Sequence, residues 1–230
     1  MLDLTTDKGR LISAALGLAA EKPWAQVTLA DIAERAGSTL VALKAQFAGK
    51  GDILAAFTQL ADDEMLRRAP RRSESASPRD ALFEVIMSRF DVLEPYKGAL
   101  KSISAGGLPE PQQVSRLLTT QGWMLEAAGI GSDGIDGSVK TAGLATLYAS
   151  VFRVWLEDED QGLARTMAAL DRRLRRGQRS LERVEDFRNG VERLAQGLAG
   201  MIRGGLRGAT NASATSQTAT PQPPPAEPSV

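Results

Sequence analysis

The chain is predicted to be all-α, with an N-terminal three-helix domain carrying a helix-turn-helix and a larger C-terminal helical bundle. Three observations predict this. Residues 27–47, VTLADIAERAGSTLVALKAQF, read as two short helices joined by a tight glycine turn. Apolar residues recur at helical spacing in the segments on either side. Prolines and glycine-rich stretches punctuate those segments at intervals that suit helices of ordinary length.

The first helix spans Asp7–Glu21, with Leu11, Ala14, Ala15 and Leu18 facing inward, and Pro23 and Trp24 form its link to the second. Thr28 caps that second helix by accepting a hydrogen bond from a free N–H. Leu29, Ile32, Ala33 and Ala36 then fall on one face, and Gly37 ends the helix where positive φ carries no Cβ clash. Ser38 or Thr39 caps the third helix, whose apolar positions Leu40, Leu43 and Phe47 recur at i, i+3 and i+7. In a helix-turn-helix of this layout the second helix of the pair can enter a DNA major groove. A fourth helix runs from Lys50 or Asp52 to Ala69.

The segment APRRSESASP, residues 69–78, is a polar connection bounded by proline. Pro78–Leu93 follows as a helix, with Leu82, Val85, Ile86, Arg89 and Phe90 in register, and Pro95 breaks it. Further helices are expected around Ala99–Ser104 and Gln112–Ala128. The stretch GIGSDGIDG, 129–137, lacks the Lys-Ser/Thr of a P-loop and has too few acids for an EF-hand, so it reads as a flexible surface loop. Ser138–Glu157 is the most apolar helix and belongs in the core or at a subunit interface. LEDED, 156–160, reads as a solvated turn, and 161–176 as another helix. Leu181, Val184, Phe187, Val191, Leu194, Leu198, Met201 and Ile202 mark a long amphipathic helix over 178–207. Residues 208–230 are Ala/Ser/Thr/Gln/Pro-rich and too apolar-poor to order themselves. The expected divisions are therefore 1–60, 61–177, 178–207 and 208–230.

Composition narrows the function. There is no cysteine and no histidine among 230 residues, which removes disulfides, the usual zinc ligands, and the commonest nucleophiles and general bases. No constellation of carboxylate, Ser, Lys or Tyr replaces them, so no enzymatic activity, metal or cofactor is expected. No apolar run approaches the ~20 residues of a membrane span, and MLDLTTDKGR lacks the apolar core of a secretory signal, so a cytoplasmic location is expected. Net charge is zero but uneven. Residues 1–57 carry six basic and six acidic side chains, 58–170 carry twelve and sixteen, and 171–210 carry ten and five. A neutral helix-turn-helix region is unusual for a DNA binder, whose affinity rests largely on cationic contacts to phosphates.

The pattern T-x-x-D-I-A-x-x-A-G, followed ten residues later by F-x-x-K, resembles the N-terminal domain of the TetR family of transcriptional regulators. The resemblance covers roughly residues 8–60 and extends from ISAALGLAAEKPWAQVTL to Ile53-Leu54 and Phe57. It implies a TetR-like fold, a homodimer, operator DNA as partner, and a C-terminal domain that binds a small apolar ligand. It also implies a DNA-contacting set made of Thr28, Thr39, Lys44, Gln46 and Lys50. Thr39 stands at the capping serine position, Lys44 where the family usually has tyrosine, Gln46 where it has histidine or tyrosine, and Lys50 matches a phosphate-contacting lysine. Leu40, Val41 and Ala42 fill sites that commonly approach DNA, and this helix has no arginine for a bidentate guanine contact. A ligand cavity would be walled by apolar residues of the middle helices, with Phe83, Met87, Phe90, Trp123 and Phe152 as candidates.

Residues 148–174 are similar to the end of the ligand domain of a different TetR-fold family, the mitochondrial lipid-binding accessory protein of ubiquinone biosynthesis. The matching positions are Tyr148, Trp155, Leu156, Asp158, Thr166, Leu170, Asp171, Arg172 and Arg173. That resemblance implies an alternative, a membrane-associated lipid-binding accessory protein with a vestigial helix-turn-helix. In it Arg183, Phe187, Arg188, Leu194 and Leu198 of the 178–207 helix would meet an anionic membrane surface. The other reading of that helix is one packed on the domain or on a partner subunit.

Overall fold

In the computed structural model the described residues are 4–69, 77–106 and 111–178, with the side chains of 111–114 outside the description. The expected helix over 178–207, the tail 208–230 and most of the 69–78 connection lie outside the described residues. Every element described is helical: α1 (Asp7–Glu21), α2 (Leu29–Arg35), α3 (Leu40–Gln46), α4 (Lys50–Arg68), α5 (Pro78–Leu93), α6 (Lys97–Ser104), α7 (Pro111–Ala127), α8 (Gly134–Leu156) and α9 (164–178). None of these is long and apolar enough to cross a membrane.

Local chemistry sets the boundaries. Thr6, Thr28, Thr39 and Ser77 each turn a hydroxyl oxygen back to accept an N–H of the helix they precede, satisfying one of the donors that a helix N-terminus leaves free. Pro78 then occupies the first turn of α5, where a missing N–H costs nothing.

Packing is organised around α1. Leu11, Ile12, Ala14, Ala15, Leu16, Leu18 and Ala19 are all buried, which gives α1 a wide apolar face beside the exposed Lys8, Arg10 and Ser13. Such a face must be covered, and α1 lies against α2 and α4 on the one hand and α6 on the other. Each Leu or Ile so covered contributes about 1.5–3 kcal/mol. The second centre is aromatic. Phe90 of α5 stacks between Tyr148 and Trp155 of α8, at centroid distances of 5.4 and 5.3 Å. The Trp155 indole N–H donates to Glu94 at 2.8 Å, so its polar edge is satisfied at the rim of the bundle.

Two expectations need correction. The glycine-rich stretch is not a loop throughout, because Gly134 takes φ of 71° and starts α8, leaving 128–133 as the connection. The acidic run after α8 is not wholly solvated. Asp158 is buried, and its carboxylate accepts the Thr166 N–H at 2.8 Å and hydroxyl at 2.7 Å, while its carbonyl accepts Lys97 at 2.6 Å. It pins the turn to α9 and to α6, which a reading of charge alone assigns to water.

Trp155→Ala removes the largest fully buried side chain and one layer of the stack. It is expected to lower stability by about 3–5 kcal/mol, read as an earlier midpoint in guanidinium unfolding followed by circular dichroism.

Candidate nucleic-acid interface

The pair α2–α3 is fixed from three directions. Thr28 and Asp31 form a capping box, with Asp31 N–H to Thr28 Oγ1 at 3.1 Å and Thr28 N–H to Asp31 Oδ2 at 3.0 Å. Lys22 donates to the same carboxylate at 2.6 Å. These bonds, the lysine contact first, hold the Asp31 pKa at about 2. Arg35 at the end of α2 grips Glu21 at the end of α1 through two bonds of 2.9 and 2.5 Å. Gly37 supplies φ of 63° in the turn, and the N–H groups of Gly37 and Ser38 cap the carbonyls of Glu34 and Ala33.

Helix α3 then presents one face inward and the rest to solvent. Leu43 and Phe47 are buried. Leu40 repeats with Leu43 and Phe47 along the helix yet is exposed, and Val41 is 80% exposed. Residues 40–42 are thus an apolar outer surface, fit to pack on thymine methyls in a groove. Thr39, Lys44 and Gln46 are exposed on the same short helix. The Thr39 oxygen accepts Ala42 N–H at 3.1 Å, leaving its hydroxyl hydrogen for an outside acceptor. Thr28 is exposed too, and its oxygen is occupied by the capping box.

Lys50 is placed differently from a free phosphate-binding lysine. Its ammonium donates to the carbonyls of Trp24 and Val27, both at 2.8 Å, and sits 4.5 Å from the Trp24 ring centroid. Burial draws its pKa below the ordinary lysine value. The side chain braces the turn between α1 and α2, adding a second donor to the Trp24 carbonyl, which also accepts Val27 N–H at 3.2 Å. Gly49 offers no side-chain cap to the first N–H groups of α4, and the Asp52 carboxylate of that turn accepts Ala48 N–H at 2.9 Å.

The brace reaches the bundle through a residue that sequence reasoning missed. Ser102 of α6 accepts Trp24 N–H at 3.0 Å and donates to the Lys22 carbonyl at 3.2 Å. An isolated serine 78 residues away carries no sequence signal for this. The cations are also distributed in a way that spacing does not reveal. Arg10, Lys22 and Arg35 are held by Asp7, Asp31 and Glu21, which explains how a region with six basic side chains shows so little free positive charge.

Of the expected ligand-wall residues, only Phe90 and Phe152 come together. Phe90 is fully buried in the aromatic stack, and Phe152 lies beside it. Phe83 lines an open depression of about 390 Å³ with Arg79, Met167, Ala168 and Asp171. Met87 is half-buried, and Trp123 is 53% exposed on α7. Trp123 is no cavity wall in this conformation, because the outer side of α7 carries it to solvent.

Two measurements separate these roles. Lys50→Met is expected to lower the thermal midpoint, by about 1–3 kcal/mol of lost charge-assisted hydrogen bonding, while Lys44→Ala leaves it unchanged. Asp31 has a depressed pKa, so its contribution is complete above its unfolded value of 3.8 and is lost as pH falls through about 2. Asp31→Asn is expected to flatten that part of the acid-unfolding curve.

Residues 11–57 match the family described as bacterial regulatory proteins, tetR family, and residues 111–180 match COQ9. No curated protein matches the chain. Among solved structures, the chain is similar to a TetR transcriptional regulator from Nitrosomonas europaea ATCC 19718, with 25% identity and a TM-score of 0.59 over 73% of this chain and 95% of that one. A TetR transcriptional regulator from Rhodococcus sp. RHA1 shares the fold at 22% identity and a TM-score of 0.52, over 72% of this chain and 91% of that one. The chain is thus a TetR-fold protein with the helix-turn-helix domain of the tetR regulatory family at residues 11–57 and a COQ9-like segment at 111–180.

Proposed function

We propose that the protein is a homodimeric, DNA-binding transcriptional regulator whose helical bundle takes a small apolar ligand. The observation that carries this reading is the exposed face of α3, where Thr39, Lys44 and Gln46 border an apolar strip of Leu40, Val41 and Ala42. Exposed apolar residues on a rigidly capped helix need a partner surface, and a groove lined with thymine methyls and phosphates is one. Lys44 and the Thr39 hydroxyl supply phosphate contacts, and Gln46 reaches a base edge. Thr28 and Lys50 hold this surface in place from behind.

Dimerisation is supported by the outer face of α8. Ile135 and Val139 are 85% and 60% exposed there, and Gly143 has open space around its Cα. A second copy laid across α8 covers these positions, and a twofold axis places two recognition helices at one operator. Ligand control works by population shift, with the ligand favouring one spacing of the recognition helices. The contact of α6 with α1, and Ser102 with the 22–24 turn, provide the mechanical path.

The COQ9-like segment favours a second reading, a lipid-binding accessory protein that meets anionic membranes through 178–207. Genomic fragments and anionic vesicles presented to the full chain distinguish the two. The regulator reading expects salt-sensitive DNA retention, with the slope of log K against log salt reduced by about 0.9 per protomer in Lys44→Ala. Vesicle sedimentation without DNA retention at low salt would overturn it. The Ile135→Asp/Val139→Asp double variant is expected to elute as a monomer, with its mass read by light scattering. A dimeric mass would move the interface away from α8.

A further inference from the structure

The bundle contains a buried polar cluster that neither DNA binding nor dimerisation uses. Arg89 of α5 pairs with Asp62 of α4, and its Nε donates to the Tyr148 hydroxyl of α8 at 3.1 Å. Thr120 of α7 donates to the other Asp62 oxygen at 2.7 Å. Four helices thus contribute polar groups to one place beside the aromatic stack of Phe90, Tyr148 and Trp155.

A buried ion pair is a poor stabiliser, since apolar residues of the same volume often do as well or better. What it does supply is exchangeability. The two halves are unequal: the Arg89 side chain is 5% exposed and the Asp62 side chain 15%. Arg89 is held from its inner side by Tyr148, whose ring centroid is 5.9 Å from the guanidinium carbon. Asp62 lies nearer water and can turn outward to hydrate. An anion that reaches Arg89 therefore replaces Asp62 without changing the buried charge, whereas a cation that captures Asp62 strands Arg89 in the interior.

We propose that Arg89 is the polar anchor of the effector site, and that the effector is an apolar molecule ending in a carboxylate, which takes Arg89 from Asp62. A planar carboxylate matches the guanidinium fork. Its apolar body meets Phe152, one turn from Tyr148 on α8, their ring centroids 6.0 Å apart. The side chains around Arg89 are closely packed in this conformation, so the ligand binds a state in which α4 has moved off α5. Effector binding and the anchoring of α4 are then mutually exclusive. Because α4 begins at the helix-turn-helix, the two equilibria are linked reciprocally. The consequence for DNA rests on the regulator reading given above, while the binding chemistry stands by itself.

The test uses the full chain, without DNA, in calorimetric titrations with dodecanoate and 1-dodecanol below their aggregation limits. Dodecanoate is expected to bind the wild type saturably and roughly tenfold or more tighter than dodecanol, the margin of a charge-assisted bidentate contact. Arg89→Met is expected to erase that preference. Asp62→Asn removes the competitor and is expected to tighten dodecanoate while leaving dodecanol unchanged. A purely structural ion pair would instead make both substitutions weaken both probes. The Asp62→Asn/Arg89→Met variant buries no charge and guards against a folding artefact; it is expected to bind both probes alike. No saturable dodecanoate binding, no preference over dodecanol, or weaker dodecanoate binding in Asp62→Asn overturns the proposal. DNA retention is scored separately, so loss of the regulator reading and loss of this one are distinguishable.

Discussion

Everything in this molecule depends on the enclosure of α1. With Leu11, Ile12, Ala15, Leu16 and Ala19 all buried, this helix has a wide apolar face that water cannot take, while Lys8, Arg10 and Ser13 stay exposed. It must be covered by α2 and α4 on one flank and α6 on another. One continuous core follows, from Ile32 and Leu43 under the recognition surface to Phe90 and Trp155 in the bundle. A helix-turn-helix on a flexible tether would need no such arrangement. Here any displacement of α6 is felt by α1 and, through Ser102, by the turn before α2.

The recognition surface is economical. α3 is seven residues long and keeps only Leu43 for the core, with Phe47 following as its C-cap. Its precision comes from its neighbours: the capping box at Thr28 and Asp31, the Gly37 turn, the Glu21–Arg35 grip and the Lys50 brace. Most charged side chains of this region are spent on such internal contacts. Shape and a few well-aimed donors, rather than a strong positive field, are what α3 presents outward.

Polar groups inside the bundle follow the same logic of positioning. Asp158 fixes a turn by accepting three N–H or O–H groups, from Thr166 twice and from Asp160. Arg89 and Asp62 join two helices by a bond that is costly to desolvate and easy to exchange. The first kind of contact stiffens the fold. The second is placed where the helix leaving the recognition domain meets the bundle.

The sequence by itself determined the helices and the motif. The span of α1, the caps Thr28 and Thr39, the glycine turn and the core positions Ile32, Leu43 and Phe47 follow from local rules of spacing and capping, which need no distant partner. It also determined which chemistry is excluded, through the lack of histidine and cysteine. Tertiary structure alone decided the rest. Lys50 faces two carbonyls rather than solvent, Trp123 faces outward while Phe90 is sealed in, and Asp158 is buried in a run of acids. Ser102 and Arg89 acquire their roles from residues 78 and 59 positions away. Periodicity tells which face of a helix is apolar, but which neighbour covers that face, and which donor a carbonyl receives, is settled by contacts between segments far apart in the chain.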